Sequence, residues 1–227
     1  MHRKSHVAWL LAIITFLVAG CASARRQALR PEAYGRAVRV ACVGDSITYG
    51  AGVENRETNS YPAVLRSLLG AGFDVRNFGV SGATLLKKGD KPYGNLPEFA
   101  AVRELLPDAI VVQLGTNDSK PQNWIHGSEF ADDLGRMLDD FARLPSKPRI
   151  WVCLPAPVYQ DRWGINEAVV RDEIIPDIRK AAAERRMRII DLHSALNGHP
   201  EYFPDGIHPN AAGARAMAQA IATALKG

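Results

Sequence analysis

A serine, an aspartate and a histidine stand out for their types and spacing. Ser46 follows the apolar run Val40-Ala41-Cys42-Val43 and lies in a Gly44-Asp45-Ser46 turn. That sets one hydroxyl at the carboxyl end of a strand, the edge where open α/β sheets keep their ligand crevice. Far downstream, Asp205-Gly206-Ile207-His208-Pro209-Asn210 supplies a carboxylate and an imidazole three residues apart. A serine hydroxyl is a poor nucleophile until a base takes its proton. An imidazole titrates near neutral pH, so His208 is the candidate base. Asp205 can accept a hydrogen bond from the other ring nitrogen and fix the tautomer. Together these are the parts of acyl transfer through a covalent intermediate. Taken alone, Asp-x-x-His reads more readily as a helix-capping aspartate beside a surface histidine.

Other chemistries fit less well. Gly44 to Gly52 has no Gly-Lys-Ser/Thr ending, and Gly50-x-Gly52 lacks the third glycine of a dinucleotide fingerprint. His193 and His199 have neither paired cysteines nor a His-Glu-x-x-His spacing, so they read as loop residues and no metal site is expected. Lys and Arg do not cluster among aromatics as a nucleic-acid surface requires.

Strands and helices must alternate to bring the serine and the histidine together. Strand-like runs cover Val38 to Val43, Phe73 to Asn77, Ala109 to Leu114, Arg149 to Leu154 and Arg188 to Asp191. Several are almost continuously apolar, as parallel strands buried on both faces are. Between them lie helical stretches, Pro62 to Leu69 closed by Gly70, then Pro97 to Leu106. Ser128 is expected to cap a helix running to Leu144, with Glu129, Asp132 and Asp133 near its positive end. Glu167 to Arg186 is expected to be kinked or split by Pro176, and a last helix runs from about Asn210 to Leu225. This alternation predicts a parallel sheet with helices on both faces, an α/β three-layer αβα sandwich.

Four blocks carry a family resemblance: Gly44-Asp45-Ser46, Asn77-Phe78-Gly79-Val80-Ser81-Gly82-Ala83-Thr84, Gly115-Thr116-Asn117-Asp118 and Asp205-x-x-His208. Each is short. In this order, spread from residue 40 to 210, they resemble the SGNH (GDSL-type) hydrolases. The resemblance implies a five-stranded sheet in the flavodoxin-like order 2-1-3-4-5. It implies Ser46, His208 and Asp205 as catalytic triad, and an oxyanion hole from the Ser46 and Gly82 N–H groups and the Asn117 amide. Gly82 also makes physical sense there, because a missing Cβ lets backbone approach closely. The triad acid of the family neighbours its histidine, so Asp45 reads as a partner of the turn, although its place beside Ser46 keeps it among candidate substrate contacts. In that strand order Cys42 and Cys153 stand two strands apart, about 9–10 Å. A disulfide needs Cα atoms within about 7 Å, so both are expected as buried free thiols.

The chain has 227 residues, 47% of them hydrophobic and 23% charged, which suits one domain with a sizeable core. Its net charge of +4 falls if a leader bearing Arg3 and Lys4 is removed, and reads as solubility. His2-Arg3-Lys4 precedes an apolar run from Val7 to Ala19. Roughly 14 helical residues reach only about 21 Å, short of a ~30 Å hydrocarbon core, so a signal peptide is expected over residues 1–20. Leu17-Val18-Ala19-Gly20-Cys21 resembles a bacterial lipobox, which implies cleavage before Cys21 and lipidation of its thiol. Two or more acyl chains would hold the protein at a membrane, the outer one in a Gram-negative cell because Ala22 follows Cys21. Residues 21–36 are expected as a solvated linker whose Arg25, Arg26, Arg30 and Arg36 can also meet anionic headgroups, and residues 37–227 as the hydrolase domain.

Substrate is less legible. Trp124, Tyr159, Trp163 and Tyr93 lie in loops where aromatics can stack on sugar rings or close a small core. Pro155-Ala156-Pro157-Val158-Tyr159 and Trp163-Gly164-Ile165-Asn166 are similar to bacterial carbohydrate acetylesterases of the sialate O-acetylesterase and acetylxylan esterase type. That resemblance implies small acyl esters on glycans, and no cofactor. A lysophospholipase or thioesterase, and an acyltransferase with the same triad, are the alternatives, with a catalytically silent glycan-binding protein further off.

Overall fold

A computed structural model describes residues 28–227. The leader, Cys21, Arg25 and Arg26 lie outside the described residues. Five parallel strands, β1 Val38–Gly44, β2 Phe73–Gly79, β3 Ala109–Gln113, β4 Arg149–Leu154 and β5 Arg188–Asp191, form one sheet in the order β2-β1-β3-β4-β5. This is the expected arrangement. Cys42 stands opposite Asn77 on one side and Val111 on the other.

Both faces of the sheet are covered. Val38, Val40, Cys42, Val111, Trp151 and Cys153 meet the helices α1 Tyr61–Leu69 and α5 Ala211–Lys226. The alternate residues Ala41, Val43, Ile110, Val112, Val152 and Leu154 meet α2 Pro97–Leu105, α3 Phe130–Ala142 and α4 Ile175–Glu184. Burial on both faces explains why the strands read as unbroken apolar runs rather than alternating ones. Cys42 and Cys153 are free thiols in the core, with β3 between their strands.

Three local expectations change. The predicted linker is packed from Ala28 onward: the Leu29 N–H donates to the Leu225 carbonyl at 2.8 Å, and Arg149 donates to the Ala28 carbonyl. Arg36 forms a bidentate pair with Asp108 at 2.6 and 2.9 Å. Buried Leu29, with Tyr34 packed against the same core, seats this segment. Next, Ser128 is not a cap; residues Gly127–Glu129 form a 3₁₀ turn and α3 begins at Phe130 without a side-chain cap. Finally, the helical run from Glu167 to Glu184 is not broken at Pro176; it stays continuous and takes up a π turn over Val170–Ile174 ahead of α4. Proline has no N–H to give and its ring crowds the preceding turn, so a wider turn there relieves both problems.

Candidate active site

The turn after β1 is pressed against the sheet. At Gly44 a Cβ would lie 2.0 Å from Thr48 Oγ1 and 2.5 Å from the Gln113 carbonyl oxygen, and at Gly79 it would lie 2.1 Å from the Tyr49 nitrogen. Only glycine permits such backbone approach. Ser46 opens a single helical turn, Ser46–Tyr49, capped by Asp45, whose Oδ1 accepts the Ile47 N–H at 2.9 Å. Thr48 is held by Gln113 and Tyr61, and the Asn77 amide donates to the Thr48 carbonyl while its oxygen accepts the Gly79 N–H.

At the other end of the chain Asp205 organises its own turn. Its Oδ1 accepts the backbone N–H groups of Ile207 and His208 at 2.9 and 2.7 Å, and its Oδ2 pairs with His208 Nδ1 at 2.8 Å. Burial alone would raise this carboxyl, but the His208 N–H, the His208 ring and the Ile207 N–H together hold it below its ordinary value. The opposite ring nitrogen, His208 Nε2, lies 2.9 Å from Ser46 Oγ. Residues 162 positions apart thus form one continuous relay of hydroxyl, imidazole and carboxylate. Such a relay can move the serine proton onto the ring and stabilise the resulting imidazolium.

Gly82 lies in the loop after β2 at φ +83°, and Asn117 in the turn after β3. One Asn117 Nδ2 hydrogen is spent on the Ala83 carbonyl at 3.1 Å, which fixes the amide, and its second hydrogen has no acceptor among the described residues. Asp118, fully buried, has a role that the sequence did not reveal. Its two oxygens accept the Leu85 and Leu86 N–H groups at 3.0 and 2.8 Å, clamping the Gly82 loop to the Asn117 turn. Burial pushes Asp118 up to about 6 despite those two donors.

The predicted substrate contacts separate into different roles. Trp163 is 59% exposed, holds φ +53°, and its ring centroid lies 5.7 Å from that of His208. Arg162 covers that ring at 5.1 Å. Asp45 is corrected: it is wholly buried, and burial lifts it to about 7, with the Ile47 N–H opposing and Asp118 adding to the lift. Tyr159 is corrected too, since its hydroxyl donates to the Leu196 carbonyl, accepts the His199 N–H, and its ring packs on Phe203. Trp124 gives its indole N–H to Glu173 and packs on Phe130. Tyr93 is buried, with its hydroxyl on the Phe78 carbonyl. His193 lies in the short helix Leu192–Leu196, not a loop, and pairs with Glu167. His199 stacks on Tyr202 and pairs with Glu201. Among the described residues no group of three or more His, Cys, Asp or Glu side chains could hold a metal ion.

Comparison with known proteins finds related esterases. An acetylxylan esterase of Xylanibacter ruminicola is 44% identical over 208 residues, covering 84% of this chain and 43% of that protein. A multidomain esterase of Ruminococcus flavefaciens is 23% identical over 216 residues, covering 79% of this chain and 27% of that protein. The chain therefore spans less than half the length of these curated relatives. Among solved structures, an arylesterase described as putative from Agrobacterium tumefaciens matches with a TM-score of 0.67 at 23% identity, over 82% of this chain and 97% of the other. A carbohydrate acetylesterase from Sinorhizobium meliloti matches with a TM-score of 0.67 at 20% identity, over the same shares. The model of the GDSL-like lipase/acylhydrolase family matches residues 42–216, and the chain belongs to that family.

Proposed function

We propose that the protein is a serine esterase that removes small acyl groups, chiefly acetyl, from carbohydrates. The relay Ser46 Oγ–His208 Nε2 at 2.9 Å and His208 Nδ1–Asp205 Oδ2 at 2.8 Å carries the reading. Ser46 Oγ attacks the ester carbonyl carbon as His208 Nε2 takes its proton. The oxygen that becomes negative faces the Ser46 N–H, the Gly82 N–H and the free Asn117 amide hydrogen. Collapse returns the His208 proton to the departing alkoxide and leaves an acyl-serine. His208 then deprotonates water, which releases the acid and restores the serine.

The side of the site on which Trp163 lies supports a sugar as the alcohol. The leaving oxygen must approach His208 to receive its proton, so the ring that bears it comes beside Trp163. An exposed indole offers such a ring an apolar face. The acetylxylan esterase relative favours acetyl as the acyl group.

Ser46→Ala should lower kcat on p-nitrophenyl acetate by about four orders of magnitude or more with the fold retained. Wild-type turnover by that variant rejects the nucleophile assignment. A chain-length series of p-nitrophenyl esters should peak at acetate; a peak at long chains would favour a lysophospholipase or thioesterase. Acetyl transfer to added glycan in preference to water would make it an acyltransferase. We further propose export and lipid anchoring through Cys21, for which mass spectrometry of the N-terminal peptide from cells should find diacylglyceryl-cysteine.

A further inference from the structure

The peptide that joins Ser81 to Gly82 has its N–H in the proposed oxyanion hole, and a cation sits on its carbonyl. Lys91 Nζ donates to the Ser81 oxygen at 2.9 Å. Its stem lies over Gly82, with Cδ 3.8 Å from where a Cβ would be. Lys88, three residues earlier, spends its charge on Glu129; Lys91 gives its charge to backbone.

The fold holds the main chain that carries Lys91. The Thr84 N–H donates to the Lys91 carbonyl and the Tyr93 N–H to the Thr84 carbonyl, both at 2.9 Å, so that Thr84 and Pro92 form a parallel bridge. Buried Tyr93 is tied by its hydroxyl to the Phe78 carbonyl at 2.7 Å. The Asp90 N–H is held by Asn123 at 2.8 Å. The main chain of Lys91 is therefore secured on both sides, and its side chain reaches back across one peptide group.

We infer that Lys91 is a positioning residue that polarises the Ser81–Gly82 peptide and strengthens the Gly82 N–H as a donor to the oxyanion. The inference rests on the proposed role of Gly82. An amide whose carbonyl is bound by a cation carries more positive charge on its N–H, because hydrogen bonds in a chain polarise one another. Charge assistance strengthens the Lys91 link, and its exposure to solvent keeps the effect modest. The benefit grows as charge develops on the reacting oxygen, so it falls on the transition state more than on bound ester. The same contact also restrains the peptide plane, which keeps the N–H aimed.

Lys91→Met keeps a stem over Gly82 and removes the charge; Lys91→Arg keeps the charge. On p-nitrophenyl acetate the methionine variant should lose about ten-fold in kcat, well below the cost of deleting an oxyanion donor outright, while KM stays within about two-fold. Lys91→Arg should restore most of the rate. Methylboronic acid, which forms a tetrahedral anionic adduct on a serine, should bind Lys91→Met more weakly by the same factor. Unchanged kcat in Lys91→Met overturns the inference, as does a rise confined to KM, which would mark a substrate contact. A fall in kcat with boronate affinity intact also overturns it. Ser46→Ala and Asn117→Ala run alongside separate the two levels. If both lose activity and Lys91→Met does not, only the Lys91 inference fails. If Ser46→Ala remains active, the reading of the site itself fails.

Discussion

Asp45→Asn should make the protein more resistant to denaturant at alkaline pH while gaining far less in acid. The wild-type carboxyl is wholly buried at the base of the Ser46 turn, with Oδ1 on the Ile47 N–H and the Thr116 side chain beside it. Burial lifts it from an ordinary 3.8 to about 7. The folded protein therefore binds this proton more tightly than the unfolded chain does. The group's contribution to stability is complete below 3.8 and is lost as pH rises through about 7. Over the whole span the loss is about 4 kcal/mol, of which about 1 kcal/mol has gone by about pH 4.5, leaving about 3 kcal/mol between there and about pH 8.5. Asparagine keeps an oxygen for the Ile47 N–H and never acquires charge. Urea unfolding of both proteins at those two pH values should show their stability difference shifting by about 3 kcal/mol in favour of the variant. A difference that is the same at both pH values would refute the argument, since it would mean that Asp45 enters the fold already ionised at no cost.

Gly44→Ala should destabilise by about 3 kcal/mol or more, or prevent folding, because its Cβ would meet Thr48 and the Gln113 backbone; a denaturation midpoint equal to wild type would contradict the close packing of this turn. Cys42 and Cys153 should resist thiol reagents in the native state and react fully in denaturant, since burial pushes the Cys42 thiol up to about 12 and Cys153 higher still. Peptide mapping after brief native labelling would reveal any reaction that breaks this expectation. Trp163→Ala should raise KM for acetylated xylo-oligosaccharides by about two- to ten-fold, with little change for vinyl acetate, which has no ring to place. Equal effects on both esters would show that the indole supports His208 rather than substrate.

The sheet was legible because its strands are buried on both faces and so stand out as apolar runs, of which Val38 to Val43 and Ala109 to Leu114 are the clearest. Their order came from the family resemblance and not from periodicity. Ser46, Asp205 and His208 could be nominated because each sits in a short motif whose residue types are unusual together. Asp118 was missed as a clamp because it acts on Leu85 and Leu86 across more than 30 residues, and backbone N–H groups leave no mark in a sequence. The same blindness misplaced Tyr159 and Trp124: an aromatic in a loop after a strand looks the same whether its polar atom meets a ligand, the Leu196 carbonyl or Glu173. Residues 28–36 read as tether because the side chains that seat them, Leu29 and Tyr34, and one ion pair, Arg36–Asp108, are too sparse to form a period.

The segment after β4 is not an independent appendage. The Tyr159 N–H donates to the Gly206 carbonyl at 2.7 Å, Gln160 fills the space that a Cβ on Gly206 would need, and Arg162 reaches the Asp205 carbonyl. The stretch that ends in the exposed indole is thus moored to the turn that aims the imidazole. If Trp163 meets the substrate and His208 is the base, as proposed, preference and turnover share one mechanical seat, and exchanging residues 155–166 for the equivalent stretch of a relative should be felt in the speed of the reaction as well as in the choice of ester.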